Sequence, residues 1–359
     1  MRIAVLGGGN GCYAAAADLS QGGHEVRLWR RDAAALAPVM EAGHITLKDY
    51  RGRHQVPIAL ATGELGAAVR GAELILIPTP AFAQADIARA LAPHLEDGQV
   101  VFLPPGTFGA YVMAHTVRAA GSRAAVAFAE TGTLPYLARK HGPAEVAITT
   151  RATRLPTGVF PAAAGRRALE IIARAYPAVE PVEDALSAAL MNAGPVIHPP
   201  LIIMNAGPLE HFERWDIHNE GTQPAIRRVT DALDGERMAT RQALGYGPPH
   251  FPLADHYTSD RWMYGNAHDK LVDSGDWREH IDLKTHRYMR EDVAYGLAFL
   301  VSVAHWAGVP CPVAQGLLAL ASAMVGEDLT RGPRTLGALG LAGVDRDGMG
   351  RLLREGLAP

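Results

Sequence analysis

A short apolar strand that runs directly into glycines, Arg2-Ile3-Ala4-Val5-Leu6-Gly7-Gly8-Gly9-Asn10-Gly11, constrains this chain more than any other feature. Glycine at position 7 permits a tight turn, and glycine at position 9 lets the backbone approach a phosphate with no Cβ in the way. The alanine-rich stretch from Tyr13 to Leu19 is predicted to be a helix aimed at that phosphate, its free N–H groups and partial positive charge facing the anion. Laid on Gly7 and Gly9, the fingerprint G-x-G-x-x-G puts its third glycine at position 12, where this chain has Cys12. Cysteine is small, so close packing of helix on strand survives, and Gly11 beside it adds freedom. With a strand before it and a helix after it, the turn predicts that Gly7, Gly9, Asn10 and Gly11 hold a nucleotide pyrophosphate. The plainer alternative is a glycine turn with a structural role only.

The first half of the chain alternates strand-like and helix-like segments, the pattern of a parallel sheet covered by helices on both faces. Predicted strands are Ile3 to Leu6, Glu25 to Trp29, Leu74 to Ile77, Val100 to Leu103, Ala125 to Ala129 and Val146 to Thr149. Predicted helices between them are Tyr13 to Gln21, Ala81 to Leu95 and Ala110 to Ala120. Leu74-Ile75-Leu76-Ile77 is continuously apolar, as a strand covered on both faces should be, and Pro78-Thr79-Pro80 stops it. After about residue 184 the strand signals fade and longer helix-like stretches take over, at Ala185 to Asn192, Pro224 to Ala243 and Glu291 to Ala307. The expected architecture is an α/β Rossmann-type doubly wound sheet over residues 1–184, then a mainly α-helical domain over 185–359. Tyr246 to Tyr264, rich in Gly, Pro, Asp and aromatic residues, reads as an irregular segment.

With 359 residues, 48% hydrophobic and 20% charged, the chain is long enough for two such domains and ordinary in composition for a globular protein. A net charge of −3 gives no reason to expect nucleic acid or an anionic membrane as partner, which leaves small metabolites. Cys12 and Cys311 are the two cysteines, and one of them lies in the glycine turn, so a disulfide framework is not expected and a reducing compartment is. Ile3 to Leu6 is too short for the apolar core of a signal peptide, and no run is expected to reach membrane-spanning length. These features together read as cytoplasmic.

In dinucleotide enzymes the residues about 20 positions past the turn, at the end of the second strand, read the adenosine ribose. There a carboxylate takes the 2′-hydroxyl of NAD, and arginine accommodates the 2′-phosphate of NADP. Here the strand ends Trp29-Arg30-Arg31-Asp32, two arginines ahead of the acid. Forked guanidinium hydrogen bonds suit a phosphate, so Arg30 and Arg31 favour NADP(H). NAD(H), held through Asp32, is the alternative, and two solvated loop arginines are the unremarkable reading.

His198 ends the apolar run Ala193-Gly194-Pro195-Val196-Ile197 and is followed by Pro199 and Pro200, so its side chain is held in place. Imidazole titrates near neutrality and can pass a proton in a redox step. Taken alone, one of 15 histidines in apolar surroundings is as easily a structural residue. Asp292 leads an apolar helix, where it either hydrogen-bonds an imidazole or favours the local helix dipole. Arg287 can bind a carboxylate through two parallel bonds, and it and Arg290 can equally be surface charges. Asn192 either hydrogen-bonds a substrate or satisfies its own helix. A metal site is not expected: there is no H-E-x-x-H or C-x-x-C, and His211 and His218 lack an obvious third ligand. His250, Asp255, His256 and Asp260 gather in the irregular segment as a weaker candidate for a substrate or an ion.

Four segments together resemble the octopine/nopaline (opine) dehydrogenase family over nearly the whole length. They are Gly7-x-Gly9-Asn10-Gly11; Glu130-Thr131-Gly132-Thr133-Leu134-Pro135-Tyr136 with Arg139; Asn192 to Pro199; and Arg287-Tyr288-x-x-Glu291-Asp292-Val293-x-Tyr295-Gly296-Leu297. The resemblance implies that the helical domain is like the C-terminal domain of 6-phosphogluconate dehydrogenase. It also implies that His198 and Asp292 form a proton-transfer pair and that Arg287 anchors a keto-acid carboxylate. The implied reaction is NAD(P)H-dependent reductive condensation of a 2-oxo acid with the amino group of an amino acid. The Glu130 to Tyr136 segment is expected near the same end of the cleft, with no individual roles assigned. A homodimer through the apolar C-terminal helices is a further expectation.

Glycerol-3-phosphate, ketopantoate and 6-phosphogluconate dehydrogenases share this architecture, so the fold alone does not choose the substrate. They depend on a lysine in the helical domain, for which this chain offers Lys270 and Lys284, neither in a segment that reads as a helix start. A non-catalytic NADP(H)-sensing protein is the alternative from another class.

Overall fold

The computed structural model describes residues 1–265 and 280–357, and Lys270 lies outside them. The chain forms two compact units, Met1–Ala189 together with the segment from Gly350 onward, and Leu190–Met349. The division falls at 189/190 rather than 184/185, and the C-terminal segment groups with the first unit and not, as expected, with the helical one. Contact explains the latter: a Cβ on Gly356 would lie 3.2 Å from Pro161 Cβ, at the end of a strand of the first unit.

Twelve strands build the first unit: β1 (Arg2–Leu6), β2 (Glu25–Trp29), β3 (His44–Asp49), β4 (Gly52–Pro57), β5 (Leu60–Thr62), β6 (Leu74–Leu76), β7 (Val100–Leu103), β8 (Ala127–Thr131), β9 (Tyr136–Gly142), β10 (Glu145–Arg151), β11 (Leu155–Phe160) and β12 (Val179–Pro181). Eight of them form one sheet in the order β12-β11-β8-β7-β6-β1-β2-β5. Neighbours in it run parallel except β11, which is antiparallel to β8. The strand order reverses at β1, between β2 and β6, and this reversal opens a crevice at the carboxyl ends of the strands. The turn after β1 and the Pro78-Thr79-Pro80 stop after β6 flank it.

Beyond expectation, a second sheet of order β4-β3-β10-β9 accompanies the first. The predicted strand at Val146 to Thr149 is real but belongs to this sheet, as β10, and the strand predicted from Ala125 begins only at Ala127. Strand β3 alternates over only two buried apolar positions, Ile45 and Leu47, and β4 buries Val56 alone, too few positions to mark a strand. Helix α1 (Asn10–Gln21) packs against strands of both sheets. A helix covered on several sides must be apolar or small around its circumference, which is why Ala14 to Ala17 are all fully buried.

In the second unit every described element is helical. The helix predicted at Ala185 to Asn192 stops at Ala189, and a new one runs from Gly194 to Met204 with Pro199 and Pro200 inside it. Residues 185–204 together form a 20-residue run whose most apolar 18-residue stretch has mean hydropathy 1.3, against the expectation that none would reach spanning length; 83% of that stretch is buried inside the protein. The predicted helix Pro224–Ala243 forms as expected. The one predicted at Glu291 to Ala307 forms as a π-helix, Tyr288–Leu297, continued by the α-helix Ala298–Ala307. Tyr246 to Tyr264 is mostly irregular, with one short helix at Ala254–Thr258. It is pinned from helix Pro224–Ala243 by a buried ion pair, Arg237 Nε to Asp234 Oδ1 at 2.6 Å. Arg237 donates onward to the carbonyls of His250 and Phe251, and Asp234 Oδ2 accepts the Leu253 N–H.

Candidate active site

In the first unit the glycine turn forms as its sequence requires. Gly7 has φ +129°, a conformation closed to other residues, and a Cβ there would fall 2.7 Å from both Cys12 Sγ and Thr79 Cγ2. Over Gly9 the space is open. Gly9 is the N-cap of α1 but offers no side-chain cap, and the first turn holds no acidic residue, so no side chain of the helix start satisfies the orphan N–H groups there. Cys12 replaces the third glycine without loss of fit: its Sγ lies 3.7 Å from the Leu6 carbonyl and 3.6 Å from the Pro78 carbonyl. Complete burial pushes its thiol up to about 12. Asn10 Oδ1 accepts the Lys140 N–H at 3.0 Å, tying the turn to β9.

The two arginines after β2 go separate ways. Arg30 lies across the turn, where a Cβ on Gly8 would meet its Nε at 2.6 Å, and its Nη1 donates to the Ala35 carbonyl. Arg31 is exposed and lines a hollow with Glu64, Arg70 and His94. Asp32 is exposed, and its Oδ1 accepts the Ala35 N–H at 3.1 Å, so the carboxylate serves a local turn. The open space over Gly9, the uncapped helix and the buried Thr79 Oγ1, which has no hydrogen-bond partner, fit a dinucleotide laid along this turn. Glu130 is fully buried and takes a different part: its Oε1 and Oε2 accept the N–H groups of Phe108 and Ala110, each at 2.7 Å, at the start of helix Gly109–Ala119.

Within the second unit, His198 from helix Gly194–Met204 and Asp292 from the π-helix meet. His198 Nδ1 donates to Asp292 Oδ2 at 2.7 Å, with the two side chains 16% and 6% exposed. The contact fixes the tautomer and leaves Nε2 as the ring atom able to take up or release a proton. Tyr288, one turn before Asp292, stacks on the imidazole with ring centroids 3.7 Å apart, and His218 meets its edge at 6.0 Å. Close helix packing makes the pair possible, because a Cβ on Gly194 would fall 2.2 Å from Asp292 Oδ1 and one on Gly296 would fall 2.1 Å from Pro195 Cγ.

Arg287 stands at the start of the π-helix, half exposed, 3.4 Å from Glu291 Oε2 and with its guanidinium 5.9 Å from the Tyr288 ring centroid. Asn192 is buried, and its Oδ1 accepts the Gly194 N–H at 3.1 Å, so this side chain serves the start of the His198 helix. Lys284 is exposed in a turn closed by Asp282. His250, Asp255, His256 and Asp260 do not converge: His250 meets Arg241, Asp255 pairs with Arg261, His256 packs on Trp262, and Asp260 is exposed. Among the described residues, no group of three or more His, Cys, Asp or Glu is arranged to hold a metal ion. Sequence reasoning gave no role to Tyr288, His218 or Lys140. Tyr288 stood inside the Arg287 to Leu297 motif, whereas nothing local marked the other two.

Residues 181–325 match the family model of the NAD/NADP octopine/nopaline dehydrogenase alpha-helical domain, and residues 2–104 match that of the NAD-dependent glycerol-3-phosphate dehydrogenase N-terminus. The chain is 29% identical to an opine dehydrogenase of Arthrobacter sp. (strain 1C), over 96% of this chain and 97% of that one. Its fold is that of octopine dehydrogenase solved in complex with NADH and agmatine, with TM-score 0.73, 18% identity, and 100% and 99% of the two chains covered. NADP+-bound yersinopine dehydrogenase is similar at TM-score 0.66 and 18% identity, covering 99% and 98%.

Proposed function

For a chain that belongs to the opine dehydrogenase family and is an NAD(P)-dependent oxidoreductase, we propose the reductive condensation of a 2-oxo acid with the amino group of an amino acid. The carbonyl carbon and the amine nitrogen join with loss of water to an imine, which gains a hydride at carbon and a proton at nitrogen to give an N-(carboxyalkyl)amino acid. The nicotinamide, when bound, supplies the hydride. The observation that carries the proposal is the His198 Nδ1 to Asp292 Oδ2 contact with Nε2 left for proton transfer. Nε2 protonates the departing carbonyl oxygen and takes the proton the amino group sheds. Asp292 holds the ring orientation and stabilises the imidazolium. Arg287 anchors a substrate carboxylate, exchanging its loose contact with Glu291 for a forked one. Of the two cofactors NADP(H) is favoured, because Arg30 lies on the turn while Asp32 is engaged elsewhere.

The test is incubation with NADPH or NADH and a matrix of 2-oxo acids and amino acids, with products identified by mass. A product containing both carbon skeletons is expected. A 2-hydroxy acid lacking the nitrogen would replace this proposal with a ketopantoate reductase-like activity, and no oxidation of either cofactor would favour the sensing protein. His198→Ala is expected to lower turnover by about 100-fold or more while cofactor affinity, measured by calorimetry, stays nearly unchanged.

A further inference from the structure

The lysine on the second sheet has no part in the proposal above, yet it reaches the cofactor turn. Lys140 sits on β9, its backbone N–H on Asn10 and its Nζ 3.6 Å above the centroid of the Tyr13 ring, one helical turn into α1. Arg30 arrives at the same tyrosine from the end of β2, crossing Gly8 so that its guanidinium faces the phenol. The Tyr13 hydroxyl is fully buried between them without a hydrogen-bond partner of normal geometry. Two cations from two different sheets thus converge on one side of the glycine turn. Among the described residues neither pairs with a carboxylate.

We propose that Lys140 and Arg30 together hold the 2′-phosphate of NADP(H), so that the small sheet takes part in choosing the cofactor. The inference rests on the NADP(H) preference proposed above and adds a residue to it. Three observations carry it. First, the end of the second strand beside the glycine turn is where this fold class reads the 2′ position of the adenosine ribose, and Arg30 is there. Second, two unneutralised like charges held close together oppose each other, and partial burial adds to the cost; burial, then Arg30, draw the Lys140 ammonium below its ordinary range. A phosphate carrying roughly −1.5 to −2 charge relieves both effects, whereas the neutral hydroxyl of NADH relieves neither. Third, the residues that would otherwise do this work are elsewhere, with Arg31 exposed beside Glu64, Arg70 and His94, and Asp32 capping Ala35.

Binding of NADPH, NADH, adenosine 2′,5′-bisphosphate and 5′-AMP, measured by calorimetry without substrate, tests this on the wild type and on Lys140→Met, Lys140→Arg and Arg31→Ala. Methionine keeps the packing on Tyr13 and removes only the charge. The wild type is expected to bind NADPH more tightly than NADH. Lys140→Met should weaken NADPH and the bisphosphate by about ten- to a hundredfold, the scale of one charge-assisted hydrogen bond, and leave NADH and 5′-AMP within about twofold. Lys140→Arg should restore most of the preference, and Arg31→Ala should leave it standing. A wild-type preference for NADPH that persists in Lys140→Met overturns the role of Lys140 while the NADP(H) reading survives. Equal weakening of both cofactors overturns it as well, because Lys140 would then serve the fold or the pyrophosphate. A wild-type preference for NADH overturns both, and the product assay above remains independent of either result.

Discussion

Cys12 shows how a single substitution in a glycine fingerprint is absorbed. Its Sγ fills the gap between the Leu6 and Pro78 carbonyls that a glycine would leave, so α1 still lies close to β1. Since burial lifts its thiol to about 12, the group stays protonated at any working pH. Native protein at pH 8 is therefore expected to leave Cys12 unmodified by iodoacetamide until the chain is unfolded, as peptide mass mapping would report; rapid labelling of folded protein would show that the turn opens. At the same scale, Asp292→Ala removes the acceptor that fixes the His198 ring. It is expected to lower turnover by about 100-fold with little change in cofactor affinity, matching His198→Ala, and the double variant should cost little more than either alone, because the two act as a unit.

The π-helix is the element that turns a motif into a site. From this one helix Tyr288 stacks on His198 and Asp292 reaches its Nδ1. π-turns are rare and frequently mark functional sites, and no periodicity in Tyr288 to Leu297 distinguishes one from an ordinary helix. The partner helix contributes by what it lacks. Gly194→Ala would drive a Cβ to 2.2 Å from Asp292 Oδ1, so turnover is expected to fall as far as in Asp292→Ala although no reacting group has been touched. Retained activity would mean that the two helices part more easily than their packing implies. The irregular segment Tyr246 to Tyr264 depends in a similar way on helix Pro224–Ala243. Asp234→Ala strands the buried Arg237 charge and frees the Leu253 N–H, with an expected loss of about 3–5 kcal/mol in stability measured by denaturant unfolding.

At the scale of the molecule, a ligand that binds only the folded chain stabilises it by mass action. NADPH at a hundred times its dissociation constant should add about 2.7 kcal/mol, read as a rise in melting temperature that Lys140→Met diminishes at the same concentration. The sequence by itself determined the parts whose information is local. The glycine turn needs a positive φ at Gly7, the strands β1, β2 and β7 are continuous or alternating apolar runs, and helix Pro224–Ala243 carries its own period. The Arg287 to Leu297 motif carried part of the resemblance to the opine dehydrogenase family in one stretch. What the tertiary structure decided is everything that depends on residues far apart in the chain. It joined β3 and β4 to β9 and β10 in a second sheet, and bound His198 to Asp292 across 94 positions. It also assigned Glu130 to capping a helix, separated Arg30 from Arg31, and carried Lys140 to a turn that lies 130 positions before it. Local patterns record which conformations a segment tolerates. Which charges become neighbours is set by packing, where a missing Cβ at Gly8 or Gly194 decides whether two distant side chains reach the same place.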